Sequence, residues 1–179
     1  MSYSGAVRAL LTIDLNGHVI HCDIVASQAP AAIEEVTCKS LTSSLFAPAK
    51  DAANHKIYST VSQSVWYFED GKSVPIDSDL SLVVNHLPPP LKTTDTVFEQ
   101  AILATDIAGN VRACEPLKAT HRFEALERAV CQMATKRITF KPVLDETGNP
   151  VEALQLLSVD FSSADAPTEH KITIPRPTQ

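Results

Sequence analysis

The chain has 179 residues, 44% of them hydrophobic and 20% charged, with a formal net charge of −6. That composition is the one of a globular protein with a core of aliphatic side chains, since aromatics make up only 6%. Lysines and arginines stand singly (Arg8, Lys39, Lys50, Lys72, Lys118), so no basic patch of the kind that neutralises phosphates is present and no nucleic acid partner is expected. No apolar run approaches the roughly 20 residues of a membrane span. The start, Met1 to Gly5, has no basic region and no long apolar stretch after it, so no signal peptide is read within the chain.

The first expected strand runs from Ala6 to Asp14. Asp14-Leu15-Asn16-Gly17 then reverses the chain, because Asp bonds its own backbone and Gly tolerates positive φ. A second strand, Val19 to Val25, completes a hairpin. A helix follows, with Pro30 at its start, where the missing N–H costs nothing, and with Cys38, Leu41 and Leu45 on one face. A third strand runs from about Lys56 to Phe68. The stretch from Glu69 to Thr96 contains Leu80 to Val84, read as a short added strand, and the stiff, extended Pro88-Pro89-Pro90.

The series then recurs. Asp14, Gly17, Cys22, Cys38, Phe46, Pro48, Asp51 and Phe68 are matched in order by Asp106, Gly109, Cys114, Cys131, Phe140, Pro142, Asp145 and Phe161, at offsets of 92 to 94. Such regular spacing identifies an internal duplication. In the second copy the strands are Val97 to Asp106, Val111 to Leu117 and Pro150 to Phe161, and Phe123, Leu126, Val130 and Ala134 recur at helical spacing. The expected fold class is α+β, with two tandem β-β-α-β modules, each a small antiparallel three-stranded sheet covered by a helix. The boundaries are residues 1–70, a linker at 71–95, residues 96–163 and a tail at 164–179.

Four cysteines allow three pairings, and the repeat favours the two local ones, Cys22 with Cys38 and Cys114 with Cys131. On the second strand Ile20, Cys22 and Ile24 alternate onto one face, so Cys22 points at the helix. A cross-link closing a loop of ~15 residues contributes about 3 kcal/mol, which matters to a module with a marginal core. Paired cysteines persist in oxidising compartments.

Gly5-Ala-Val7 with Thr12-Ile13-Asp14-x-x-Gly17-x-Val19 resembles the opening hairpin of the TonB C-terminal family. Leu45-Phe46-Ala47-Pro48-Ala49 and Ile138-Thr139-Phe140-Lys141-Pro142-Val143 are similar to that family's stretch after the helix, and Asp145-x-x-Gly148-x-Pro150-Val151 to its turn into the last strand. The resemblance implies a bacterial periplasmic setting. It also implies a partner: a TonB-box-like segment of a TonB-dependent outer-membrane transporter, or a segment of another envelope protein, added as a strand beside the sheet. The receiving strand is expected among Ile57, Ser59, Val61, Gln63, Val65, Trp66 and Tyr67, or among Val151, Ala153, Gln155, Leu157 and Val159. The alternative is an assembly protein whose sheets pair with each other or with a second copy, with no peptide ligand.

No cofactor is called for. Asp14 and Asp106 are read as turn residues, and His18 and His21 lie on opposite parities of one strand and do not form a metal site. The cysteines have partners, and no nucleophile or phosphate-loop motif occurs, so an enzyme is not expected.

Overall fold

The computed structural model describes residues 5–67, 79–117 and 123–164, the side chain of Trp66 excepted. Its elements in order are β1 (Gly5–Ile13), β2 (Val19–Ser27), α1 (Ala31–Thr42), β3 (Ala49–Lys50), β4 (Lys56–Tyr67), β5 (Leu80–Val84), β6 (Thr96–Thr105), β7 (Val111–Pro116), α2 (Glu124–Arg137), β8 (Val143–Leu144), β9 (Pro150–Val151) and β10 (Ala153–Ser163).

The expectation of two separate three-stranded sheets is overturned. The strands form a single mixed sheet of eight, ordered β2-β1-β4-β10-β6-β7, with β3 added to β4 and β5 added to β10. The join is a parallel pairing of β4 with β10, Ala153 opposite Tyr58 and Gln155 opposite Thr60. The physical reason lies in the main chain. β4 pairs with β1 along one edge, and β10 with β6 along one edge, which leaves each a second edge of unpaired N–H and C=O groups. Each strand satisfies part of that edge on the other. Only β8 and β9 stand apart, as a small ladder.

A parallel join has a geometric consequence. Residues opposite one another across a ladder point to the same face, and alternate residues to opposite faces. Leu11, Val61 and Cys22 share a row, and Cys22 is bonded to Cys38 of α1. In β10 it is Gln155, Leu157 and Val159 that share rows with Leu103, Ala101 and Glu99 of β6, and Leu103 lies opposite Cys114, which is bonded to Cys131 of α2. Across the join, Gln155 aligns with Thr60, which is of the opposite parity to Val61. The two helices therefore cover opposite faces of the sheet, α1 over β2 and β1, α2 over β7 and β6.

The cores follow this division. Under α1, Ala9, Leu11 and Val19 pack with Cys22, Ile24, Leu41 and Phe46. The core under α2 is larger: Leu126, Val130 and Ala134 lie against Ala101, Leu103, Leu157, Val159 and Phe161, with β5 and Leu87 closing its margin. Leu126, Val130 and Ala134 are the apolar positions whose spacing marks the helix in the sequence.

The turns explain the repeated landmarks. Asp14, Asp51, Asp106 and Asp145 each accept two backbone N–H bonds on Oδ1, from the residues two and four places on, at 2.7–2.9 Å. Gly17 and Gly109 have positive φ of 93° and 80°. A Cβ there would stand 2.0 Å from the Phe46 carbonyl oxygen and 1.9 Å from that of Phe140. The closeness is functional to the fold, because the Phe46 and Phe140 N–H groups donate to the carbonyls of Gly17 and Gly109. The chain after each helix is thus tied to the hairpin turn before it, and only glycine leaves room for it.

Candidate functional site

The cysteine pairs form as the repeat requires. Cys22–Cys38 and Cys114–Cys131 join strand to helix with Cα separations of 5.8 and 5.5 Å. Two disulfides are compatible with an oxidising, extracytoplasmic compartment. Among the described residues no helix is long and apolar enough to cross a membrane, and no group of His, Cys, Asp and Glu is placed to hold a metal ion.

Of the residues expected to receive a peptide, those of β4 and β10 lie on inner strands of the sheet, and Val151 lies in the separate β8–β9 ladder. Ile57 pairs with Ala49 of β3. Ser59, Val61, Gln63, Val65 and Tyr67 lie opposite Ile13, Leu11, Ala9, Val7 and Gly5. The Tyr67 hydroxyl bonds Thr37 of α1, so this aromatic is part of the packing of strand against helix. Trp66 lies opposite Ala6 in the ladder; Phe68, its neighbour, lies outside the described residues. Val151 pairs with Val143.

Ala153, Gln155, Leu157 and Val159 of β10 are buried. β6 pairs along one side. On the other, β4 takes Ala153 to Gln155 and β5 takes Val159 to Ser163. Ser158 between them donates its N–H to Asp79 Oδ2 at 2.8 Å and accepts from the Asp79 N–H at 2.9 Å. Asp79 also meets Arg8 at 2.7 Å. Both edges of β10 are therefore paired along most of its length. The second edge of β4 from Val61 to Tyr67 leads directly into residues outside the description. The outermost strands are β2 and β7.

Between the halves lies a feature that no spacing in the sequence announces. His21, Thr12, Thr60 and Gln155 stand side by side on β2, β1, β4 and β10. This polar row lies on the face that α2 covers at its other end. Here the cover is the chain after α2: Lys141, Pro142, Val143 and Leu144 cross above it and enclose a cleft of about 190 Å³ with the row as its floor. Two bonds pin the cover to the first half. His21 Nε2 lies 3.1 Å from the Asp145 carbonyl oxygen, and the Tyr58 hydroxyl donates to Glu146 at 3.0 Å. Burial and the Glu146 carboxylate both push the Tyr58 pKa up.

The floor is unusual in its hydrogen bonding. Thr12, Thr60 and Gln155 are 8%, 6% and 8% exposed. Gln155 Nε2 donates to Thr105 Oγ1 at 2.9 Å. Among the described residues neither threonine hydroxyl has a hydrogen-bond partner, and neither oxygen is sealed from solvent. Sequence reasoning considers His21 only as a metal ligand, Thr12 only within the hairpin motif and Gln155 only as part of an edge, and gives Thr60 no role. The one available signal was the duplication itself: Thr12 and His21 stand where the second copy has Ala104 and Ala113, 92 residues on.

Comparison with family models, with curated proteins and with solved structures finds no match to this chain.

Proposed function

We propose that the chain is a periplasmic interaction module that takes an extended segment of an envelope protein as an added strand on the outer edge of β2. The observation that carries this reading is the place of β2: nine residues long, last in the sheet, its outer edge unpaired by any strand among the described residues. An edge of that kind binds extended chains through main-chain bonds. The two disulfides support a compartment outside the cytoplasm. The resemblance of the hairpin and post-helix motifs supports a TonB-box-like segment of an outer-membrane transporter as the class of partner.

β2 offers a clean test. The register shifts between Arg8 and Ala9, and Val25 is the extra residue, with no partner on β1. It is 41% exposed. Proline at a bulge leaves the ladder intact while it blocks an incoming strand. Amide hydrogen exchange with synthetic TonB-box peptides should show protection gained along β2, and Val25→Pro should abolish it with the circular dichroism of the fold unchanged. Protection gained elsewhere, or binding untouched by V25P, overturns the reading.

A second reading is favoured by the β4–β10 join, in which the two halves already pair with each other. A second copy could add to the sheet in the same way at β2 or β7. Light scattering decides: a dimer that V25P dissociates, with no peptide binding, replaces the first reading with this one.

A further inference from the structure

The cleft under Lys141 to Leu144 combines features that argue for an occupant. The Thr12 and Thr60 hydroxyls have no partner within the protein among the described residues and are not sealed from solvent, so they are free to meet a solute. Thr12 and Thr60 are more than nine-tenths buried and face the cleft. Each can donate one hydrogen bond and accept two. Gln155 has spent one N–H on Thr105 and keeps its Oε1 as an acceptor. His21 Nε2 is taken up by the Asp145 carbonyl. The two hydroxyls and the carboxamide of the floor carry no charge, and they both donate and accept. Charge appears only at the rim, one of each sign, in the exposed Lys141 and Asp23, where solvent makes it weak.

Size narrows the class further. A volume of about 190 Å³ is the space of about six water molecules, well below that of sites for drug-sized ligands. Leu10 and Val143 supply apolar walls against which the C–H faces of a ring can lie. We infer that this cleft binds a small neutral polyhydroxylated solute of monosaccharide size, held by the Thr12 and Thr60 hydroxyls and the Gln155 carboxamide. The site borders β2 through His21 and Asp23, but the groups assigned to the solute lie on β1, β4 and β10, so it does not depend on the proposed peptide binding. It exists in one half only. The corresponding row on the opposite face, Ala113, Ala104, Leu154 and, across the join, Ser59, has a single polar side chain.

The test is an amide NMR titration of the full chain with D-glucose, D-galactose and D-mannose, beside glycine and acetate as charged controls. Saturable shifts clustered at Thr12, Thr60, Gln155 and Val143 with at least one hexose, and none with the controls, are expected. The double variant Thr12→Val, Thr60→Val keeps side-chain shape. It should lose about tenfold or more in affinity while its melting temperature changes little, because neither hydroxyl has a partner in the protein to lose. No saturable shift with any of the three hexoses overturns the proposal and leaves the cleft to water. So does stronger binding of glycine or acetate at the same amides, which would make the rim charges the recognising groups. Affinity unchanged in the double variant overturns the assigned contacts.

Discussion

The two halves of the sheet share a strand plan and differ in what they put under it. The half built on β6, β7 and β10 buries ten residues in one cluster beneath α2, with β5 added at its margin. Among the described residues, the half built on β1, β2 and β4 gathers three into its cluster beneath α1, with Val7 and Ile13 of β1 also buried. On the faces away from the helices the difference is chemical: His21, Thr12 and Thr60 on one side of the join, Ala113, Ala104 and Leu154 on the other. One half is the hydrophobic anchor, and the other carries the polar cleft and the longer outer strand.

The largest expected effect comes from the staples. Each disulfide closes a comparable loop, with sequence separations of 16 and 17, so each contributes about 3 kcal/mol through the unfolded state. Replacing Cys22 and Cys38 by alanine should nevertheless do more local damage than replacing Cys114 and Cys131, because α1 has fewer buried contacts to fall back on. Native-state hydrogen exchange should show α1 opening at lower free energy than α2. Since the halves share one sheet, thermal melting of either variant should remain a single transition. Two resolved transitions would mean that the β4–β10 join does not couple the halves.

The glycine ties rank next. Gly17→Ala and Gly109→Ala each combine positive φ with a Cβ placed on a carbonyl oxygen, at a cost of about 2 kcal/mol or more. Gly148 also has positive φ, 83°, but nothing lies within 4 Å of a Cβ there. Gly148→Ala should cost about 1 kcal/mol. Chemical denaturation of the three variants measures the difference, which isolates the price of the close approach. Equal losses would show that the Phe46 and Phe140 ties are not limiting.

These ties mark what was legible in the sequence. Asp, Gly and Phe at matched offsets report local geometry, in which each residue type answers a nearby steric or hydrogen-bonding need, so the turns, hairpins, helices and disulfides could be read. The β4–β10 join could not. It is made by main-chain groups, which every residue carries, and Ser59 and Thr60 look the same on an edge as in the interior. The cleft was hidden for another reason: Thr12 and Gln155 are 143 positions apart, and only the join brings them into one row.

Acid should act on the same turns in both halves. Amide bonds from His18 and Asn16 outweigh the upward push of burial on Asp14 and hold its pKa below the usual carboxylate range. Asp51 is lowered by bonds from His55, Asp106 by bonds from Asn110, and Asp145 by bonds from Thr147 and Asn149. Carboxylates depressed in the folded state stabilise it above their unfolded pKa of about 3.9 and lose that contribution as pH falls through the lower folded value. Stability should therefore be level across neutral pH and decline below about pH 4. Asp106→Asn should flatten that decline, and Asp145→Asn should do the same independently. A decline that begins near pH 6 would point to histidine in its place.

The smallest effect bears most directly on the cleft. Tyr58→Phe removes only the hydroxyl that donates to Glu146, a change of about 0.5–1 kcal/mol. The ring still packs, so the sheet should melt almost where it did. Among the described residues, the hydrogen bond that then still ties the cover over the polar row to the first half is that of His21 to Asp145. Hydrogen exchange at Val143 and Leu144 should accelerate in Y58F while exchange in α2 and β6 stays unchanged. In the second half no such cover is tied by these residues, so the same measurement on Ala104 and Ala113 serves as the internal reference. Faster exchange confined to the cover would show that access to Thr12 and Thr60 is governed by a segment of the other half, which places control of the polar face in the copy that lacks one.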